Sequence, residues 1–173
     1  IGIIDADMSL SGGDLRASEK AFQVLHQVSG RAGRESKKGT VIIQTHDPEN
    51  QVIDALKKNN RDYFLKIESE NRENANLPPF GKLVSLILSS KDERKLIEFA
   101  HSLKMNAPQY EKITILGPAP APISLLRGNH RYRFLIKSHK NINIQKVIKN
   151  WIKKLKKPPS IRLIIDIEPY SFL

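Results

Sequence analysis

Cysteine is absent from the 173 residues. Disulfides and cysteine-ligated zinc are therefore excluded within this sequence, and a reducing compartment suits it. Long apolar runs are missing too. None approaches the ~18–20 residues of a membrane span, so no membrane partner is expected. The first residues lack the charged, apolar and small-residue order of a secretory leader, which makes the cytoplasm the expected compartment. Aromatic residues make up only 6% of the chain, with a single tryptophan, which leaves few rings for stacking on bases. His26, His46, His101, His130 and His139 show no metal-ligand spacing, so no metal site is expected.

Acidic residues are scarce in one half only. Residues 1–80 hold 11 Lys/Arg against 12 Asp/Glu, a net charge of −1. Residues 81–173 hold 18 against 6, a net of +12, so the whole excess of the chain lies there. Such asymmetry points to a polyanionic partner for the second half, nucleic acid first, with a solvated lysine-rich surface as the bland alternative. The rest of the composition, 39% hydrophobic and 27% charged, is that of a folded globular chain.

Two domains are expected, residues 1–75 and 76–173, divided at "NLPPFGK" where Pro78 and Pro79 stop a helix. The opening "IGIID" reads as a buried strand already under way, so a fragment of a longer protein is expected. A helix over 14–30, a strand over 40–45 and helices over 48–58 and 60–74 follow. Strand, helix and strand in that order predict an α/β unit with a parallel sheet. "GTVIIQT" in particular has the β-branched run of a buried parallel strand.

The second half reads as strand 82–90, helix 91–105, strand 112–117, a proline-rich loop 117–130, strand 130–138, helix 143–156 and strand 161–167. Ser90 and Glu93 form a capping-box pattern for the first helix, whose Leu96, Ala100 and Leu103 share a face. The order βαββαβ is the ferredoxin-like split motif, an α+β fold with two helices on one face of an antiparallel sheet. Along the strand over 130–138, Tyr132, Phe134 and Ile136 alternate with Arg131, Arg133 and Lys137. The helix over 143–156 sets Ile144, Ile148 and Trp151 opposite Lys146, Lys149, Lys153, Lys154, Lys156 and Lys157. Arg127, Arg131, Arg133, Lys137, Lys146, Lys149 and Lys153 are thus the candidate DNA-binding residues, attracting phosphates without reading sequence. Tyr132, Phe134 and Trp151 are expected in the core.

"QVSGRAGR", residues 27–34, carries the sharpest local signal. Arginine offers a planar, permanently charged fork suited to phosphate oxygens, and Gly30, Ala32 and Gly33 allow close backbone approach. The same spacing also fits a helix C-terminus, where arginine complements the dipole and glycine caps it.

The stretch resembles motif VI of superfamily-2 helicases, whose pattern is Q-x-x-G-R-x-G-R. With "DADMSLSGGDLRASEKAF" before it and "GTVIIQTHDPEN", "ENRENANLPPF", "LGPAPAPI" and "RYRFLIK" after it, the chain resembles the primosomal replication-restart helicase family over nearly its whole length. That resemblance implies that residues 1–75 form part of the second RecA-like lobe. It implies Arg31 and Arg34 as catalytic arginine fingers and Gln27 and Gly30 beside the nucleotide, with ATP and Mg as cofactors of the complete enzyme. Asp5 and Asp7 match the family's D-A-D, either as loop and cap carboxylates or as metal contacts. Arg16 and Glu19 match its R-A-x-E stretch, where a pairing at i,i+3 would steady the helix. Lys20 stands where the family more usually has Arg.

No G-x-x-x-x-G-K-[S/T] loop occurs in the sequence, nor the acidic box for magnesium, nor the family's zinc-binding cysteines. ATP hydrolysis by this chain alone is therefore not expected, and the upstream helicase lobe is an expected partner. So are forked or single-stranded DNA, single-strand-binding protein and other primosome proteins. The alternative is a stand-alone nucleic-acid-binding module or split-gene remnant without catalysis.

Overall fold

The computed structural model describes residues 1–10, 14–32 and 39–169. The chain divides into two compact units, Ile1–Asn71 and Arg72–Leu173. Two X–Pro bonds are cis, Pro78–Pro79 and Gly117–Pro118.

Among the described residues the first unit holds a two-stranded parallel sheet, three helices and most of a fourth. Strand β1 (Gly2–Ile3) pairs with β2 (Ile42–Ile43), Gly2 opposite Ile42 and Ile3 opposite Ile43. The helices are α1 (Asp7–Leu10), α2 (Ala17–Gly30), α3 (Gln51–Lys57) and α4 (Arg61–Asn74). Its core forms where the apolar stripe of α2 meets α3 and α4. Phe22 stacks on Phe64 with centroids 4.4 Å apart, beside buried Leu25, Val52 and Ile53. Both strands are shorter than the β-branched runs suggest. Asp5, at φ 54, leaves the extended conformation and ends β1. The expectation of a buried second strand is corrected, since Ile42 is 70% exposed. A β-branched run reports strand preference, and burial needs covering layers on both faces, which this two-stranded sheet lacks among the described residues.

The second unit follows the order β3 (Gly81–Ser90), α5 (Glu93–Met105), β4 (Ile113–Leu126), β5 (Asn129–His139), α6 (Ile144–Lys153) and β6 (Arg162–Ile167). Its four strands form one antiparallel sheet in the order β4-β5-β3-β6. Alternation does the work expected of a half-covered sheet. Val84, Leu86 and Leu88 of β3 and Phe134 and Ile136 of β5 point to one face. There they meet Leu96, Ala100 and Leu103 of α5 and Ile144, Ile148 and Trp151 of α6. The opposite face carries no helix of this core.

Two local expectations are corrected. Asp92, rather than Ser90, caps α5: its Oδ1 accepts from the Lys95 amide at 3.1 Å, while Ser90 Oγ accepts from the Asp92 amide at 3.2 Å. A carboxylate two residues closer to the amides displaces the hydroxyl as cap. The proline-rich segment is not a loop, because β4 runs through it to Leu126 with register shifts between Leu116 and Ala119 and between Pro120 and Leu125. β4 is an edge strand, and an edge tolerates proline because its outward backbone positions have no partner to bond.

Candidate functional site

The candidate residues fall into three places. The first is the end of α2. Gln27, Gly30 and Arg31 are all exposed. Arg31 is the C-cap in right-handed conformation (φ −82), its amide donating to Val28 O at 3.1 Å. Gln27 and Arg31 stand four residues apart and so share a side of the helix. Among the described residues Arg31 makes no ion pair, and open space surrounds Gly30. Ser29, Gly30 and Ala32 line a concavity of about 490 Å³ together with His26, Gly39 and Lys57. Gly39 approaches so closely that an added Cβ would lie 1.4 Å from the Ala32 carbonyl oxygen. An exposed guanidinium without an ion pair among the described residues fits a phosphate approaching from outside. Arg34 lies outside the described residues.

Two carboxylates brace the approach to that helix. Asp14 accepts from the Arg16 amide at 3.2 Å and pairs with Lys20 at 2.7 Å, which gives Lys20 a local structural task. Asp7 opens α1, and its carboxylate clasps the segment after β2. Thr45 Oγ1 donates to Oδ1 at 2.6 Å and the His46 amide to Oδ2 at 2.8 Å. The Thr45 hydroxyl first, then the His46 amide, hold the Asp7 carboxyl below its ordinary value of 3.8. A depressed carboxyl stabilises the fold above its unfolded pKa and loses that effect as pH falls through its folded value. Asp7→Ala is therefore expected to melt below the unaltered chain at pH 7, and the gap should close only below about pH 4. Paired thermal melts across pH check this; a gap that is constant down to pH 2 would show that the charge of Asp7 is irrelevant.

The second and third places divide the basic residues of the second unit. Lys146, Lys149 and Lys153 are exposed on α6, the layer that covers one sheet face. Arg131, Arg133 and Lys137 alternate with core residues of β5 and so belong to the other face. The two sets do not merge into one surface; the helix layer and the sheet separate them. Lys157, exposed after α6, donates to the carbonyls of Pro158 and Ile161. Arg127 sits at the β4–β5 turn with φ 50, followed by Gly128 at φ 74. Positive φ at both central residues is the type I′ hairpin turn, whose twist suits the strands.

On the open face Arg127 and Arg131 line a groove of about 410 Å³ with Ile87, Ser89, Arg162 and Ile164. Arg162 and Ser89 were not singled out by sequence. The period-two alternation of β6 puts Arg162 and Ile164 on one face, but only the strand register brings that face beside Arg131. Tyr132, half-buried, and Phe134, fully buried, pack toward the core. Among the described residues no group of three or more His, Asp or Glu could hold a metal ion. No helix there is long and apolar enough to cross a membrane.

The sequence profile described as the primosomal protein N C-terminal domain matches residues 73–170. The chain belongs to the primosomal protein N C-terminal domain family. It is 45% identical over 172 residues to the replication restart protein PriA of Rickettsia conorii, covering 99% of this chain and 26% of that protein. It is 38% identical to PriA of Synechocystis, covering 99% of this chain and 21% of the relative. It is 33% identical to PriA of Bacillus subtilis over 180 residues, covering 100% and 22%. The chain thus spans about a quarter or less of the curated relatives it matches, and the family profile coincides with the unit that carries the groove.

Proposed function

We propose that this chain is part of an ATP-dependent 3′-to-5′ DNA helicase of the PriA kind, acting in replication restart and primosome assembly. The observation that carries the reading is the similarity to PriA along both units, and the resemblance of residues 27–34 to motif VI supports it. Residues 1–75 act as part of the second RecA-like lobe, with Arg31 and Arg34 reaching the γ-phosphate and Gln27 and Gly30 beside the nucleotide. ATP and Mg supply the phosphoryl group and its charge neutralisation in the complete protein; the zinc of the family belongs to residues outside this sequence. Residues 76–173 act as a ferredoxin-like DNA-binding domain. The βαββαβ order and the antiparallel sheet with both core helices on one face support that fold. The net charge of +12 on residues 81–173 supports its binding of forked or single-stranded DNA. Single-strand-binding protein and other primosome proteins are the proposed partners, in the cytoplasm.

The test is complementation. The chain alone, given ATP and forked DNA, is expected to show no turnover. Adding the upstream portion of a PriA relative should restore ATP hydrolysis. Arg31→Ala or Arg34→Ala should then lower kcat by about 10³-fold or more, the range for an arginine finger. Turnover by the chain alone would sink the reading. DNA binding that falls with salt, but without any complementation, would favour a stand-alone nucleic-acid-binding module.

A further inference from the structure

We propose that the open face of the four-stranded sheet carries a single strand of nucleic acid across the groove at Arg127, Arg131 and Arg162. The inference rests on the reading of this unit as a DNA-binding domain, and it names where and how the strand lies. Ser89 pairs with Arg131 on one neighbouring strand and with Arg162 on the other. Residues paired across strands share a face, so the three side chains form one row on the side away from α5 and α6. At the usual spacing between strands the two arginine Cα atoms lie about 10 Å apart, with the groove between them. In the next row Ile87 pairs with Arg133 and with Ile164, and Ile164 is 40% exposed. The groove therefore has arginine at its sides and an aliphatic floor.

Its charge is of one sign. Among the described residues no carboxylate lines the groove. The acid of β6 on the same face, Asp166, pairs with Ser85, two rows from Arg162. Arg131 is held in place by one bond, Nη1 donating to Ile123 O at 3.2 Å, which leaves the rest of its fork for a ligand. The backbone of Arg127 is set by the hairpin turn, its carbonyl accepting from Asn129 Nδ2 at 3.2 Å. A guanidinium already held, as that of Arg131 is, loses less freedom on binding phosphate than a free surface chain does.

The apolar floor selects the occupant. A duplex offers a protein its phosphates and keeps its bases paired, so it has nothing to lay on Ile87 and Ile164. A single strand brings unpaired bases and sugars to the floor while the arginines hold its phosphates. Tyr132 and Phe134 pack on the core side, so guanidinium planes take the stacking role that rings have elsewhere. On the helix side of the sheet Lys149 and Lys153 are exposed, where solvent and salt screen their charge, while Lys146 and Lys154 border a separate concavity of about 260 Å³ with Tyr110 and Asn143.

Fluorescence anisotropy with a labelled oligothymidylate, and with its duplex with oligodeoxyadenylate, tests the proposal on the whole chain. Arg127→Asn removes a charge and creates Asn-Gly, a favoured pair for this turn, so the hairpin is kept. Arg162→Ala alters an exposed side chain. Together they are expected to weaken oligothymidylate binding about tenfold or more and to flatten the salt slope by about 1.4. Lys149→Ala with Lys153→Ala, the competing basic set on α6, should weaken it clearly less than the arginine pair does. The unaltered chain should bind oligothymidylate more tightly than the duplex. Loss in the lysine pair with none in the arginine pair overturns the groove and keeps the DNA-binding reading. Preference for duplex through the same arginines overturns the single-strand occupant. No binding by the unaltered chain overturns the DNA-binding reading itself.

Discussion

Trp151→Ala is expected to lower the melting temperature of the second unit by roughly 15–30 °C. Trp151 is 2% exposed and meets Phe134 edge to face, with centroids 5.9 Å apart. Truncating a buried Trp costs about 3–5 kcal/mol through lost burial and the cavity left behind. A second loss is specific to this site. The indole N–H donates to Leu103 O at 3.0 Å. Leu103 lies in the last turn of α5, where carbonyls have no partner within the helix. Trp151 thus closes the end of α5 from α6 and ties the two helices of the layer together. Trp151→Phe keeps most of the ring and removes the donor, so it should cost about 1–2 kcal/mol. Far-UV circular dichroism is the suitable probe, because the substitution removes the chain's one tryptophan fluorophore. A loss below about 5 °C for Trp151→Ala would show that the layer is held elsewhere.

That role of Trp151 was half legible in the sequence. Helical spacing placed it in the apolar stripe, but nothing in the spacing told which carbonyl its N–H would meet, since Leu103 is 48 residues away. The same divide runs through the whole molecule. Periodicity, which is local, located the helices and most strands. Register, which is not local, decided the rest. The alternation of β5 separated Arg131 from Phe134 correctly, yet only the pairing of β3 with both neighbours brings Arg131 and Arg162 into one row. Lysines on α6 and arginines on β5 add to one charge count for the same reason, because one-dimensional charge does not say which side of a sheet it ends on. Proline misled in the opposite direction. Pro118, Pro120 and Pro122 read as loop, because the sequence does not announce which strand will lie at an edge. "QVSGRAGR" was legible as chemistry, two arginines suited to phosphate, and as a resemblance to motif VI.

Gly117→Ala is the second large expected effect, and it links the stability of the sheet to its open face. Gly117 has φ +104, a conformation that residues with a side chain rarely adopt. An added Cβ would also lie 2.6 Å from the Arg133 carbonyl oxygen and 3.2 Å from Phe134 Cα. Both obstacles are backbone, so no side chain can swing aside to make room. Rotating Gly117 to a negative φ would move β4 at the point where its register with β5 already shifts. The expected cost is about 3 kcal/mol or more, seen as a lower melting temperature. Gly128→Ala separates the two causes. Its φ is +74, but an added Cβ there meets nothing, so only the conformational cost of about 1–2 kcal/mol applies. The strands should part most at Arg133, the neighbour of the groove arginines, so Gly117→Ala should weaken oligothymidylate binding even below its melting transition, whereas Gly128→Ala should weaken it less. Equal melting temperatures for the two variants would mean that the close approach to Arg133 does not constrain the sheet, and that the bend in β4 is free to relax.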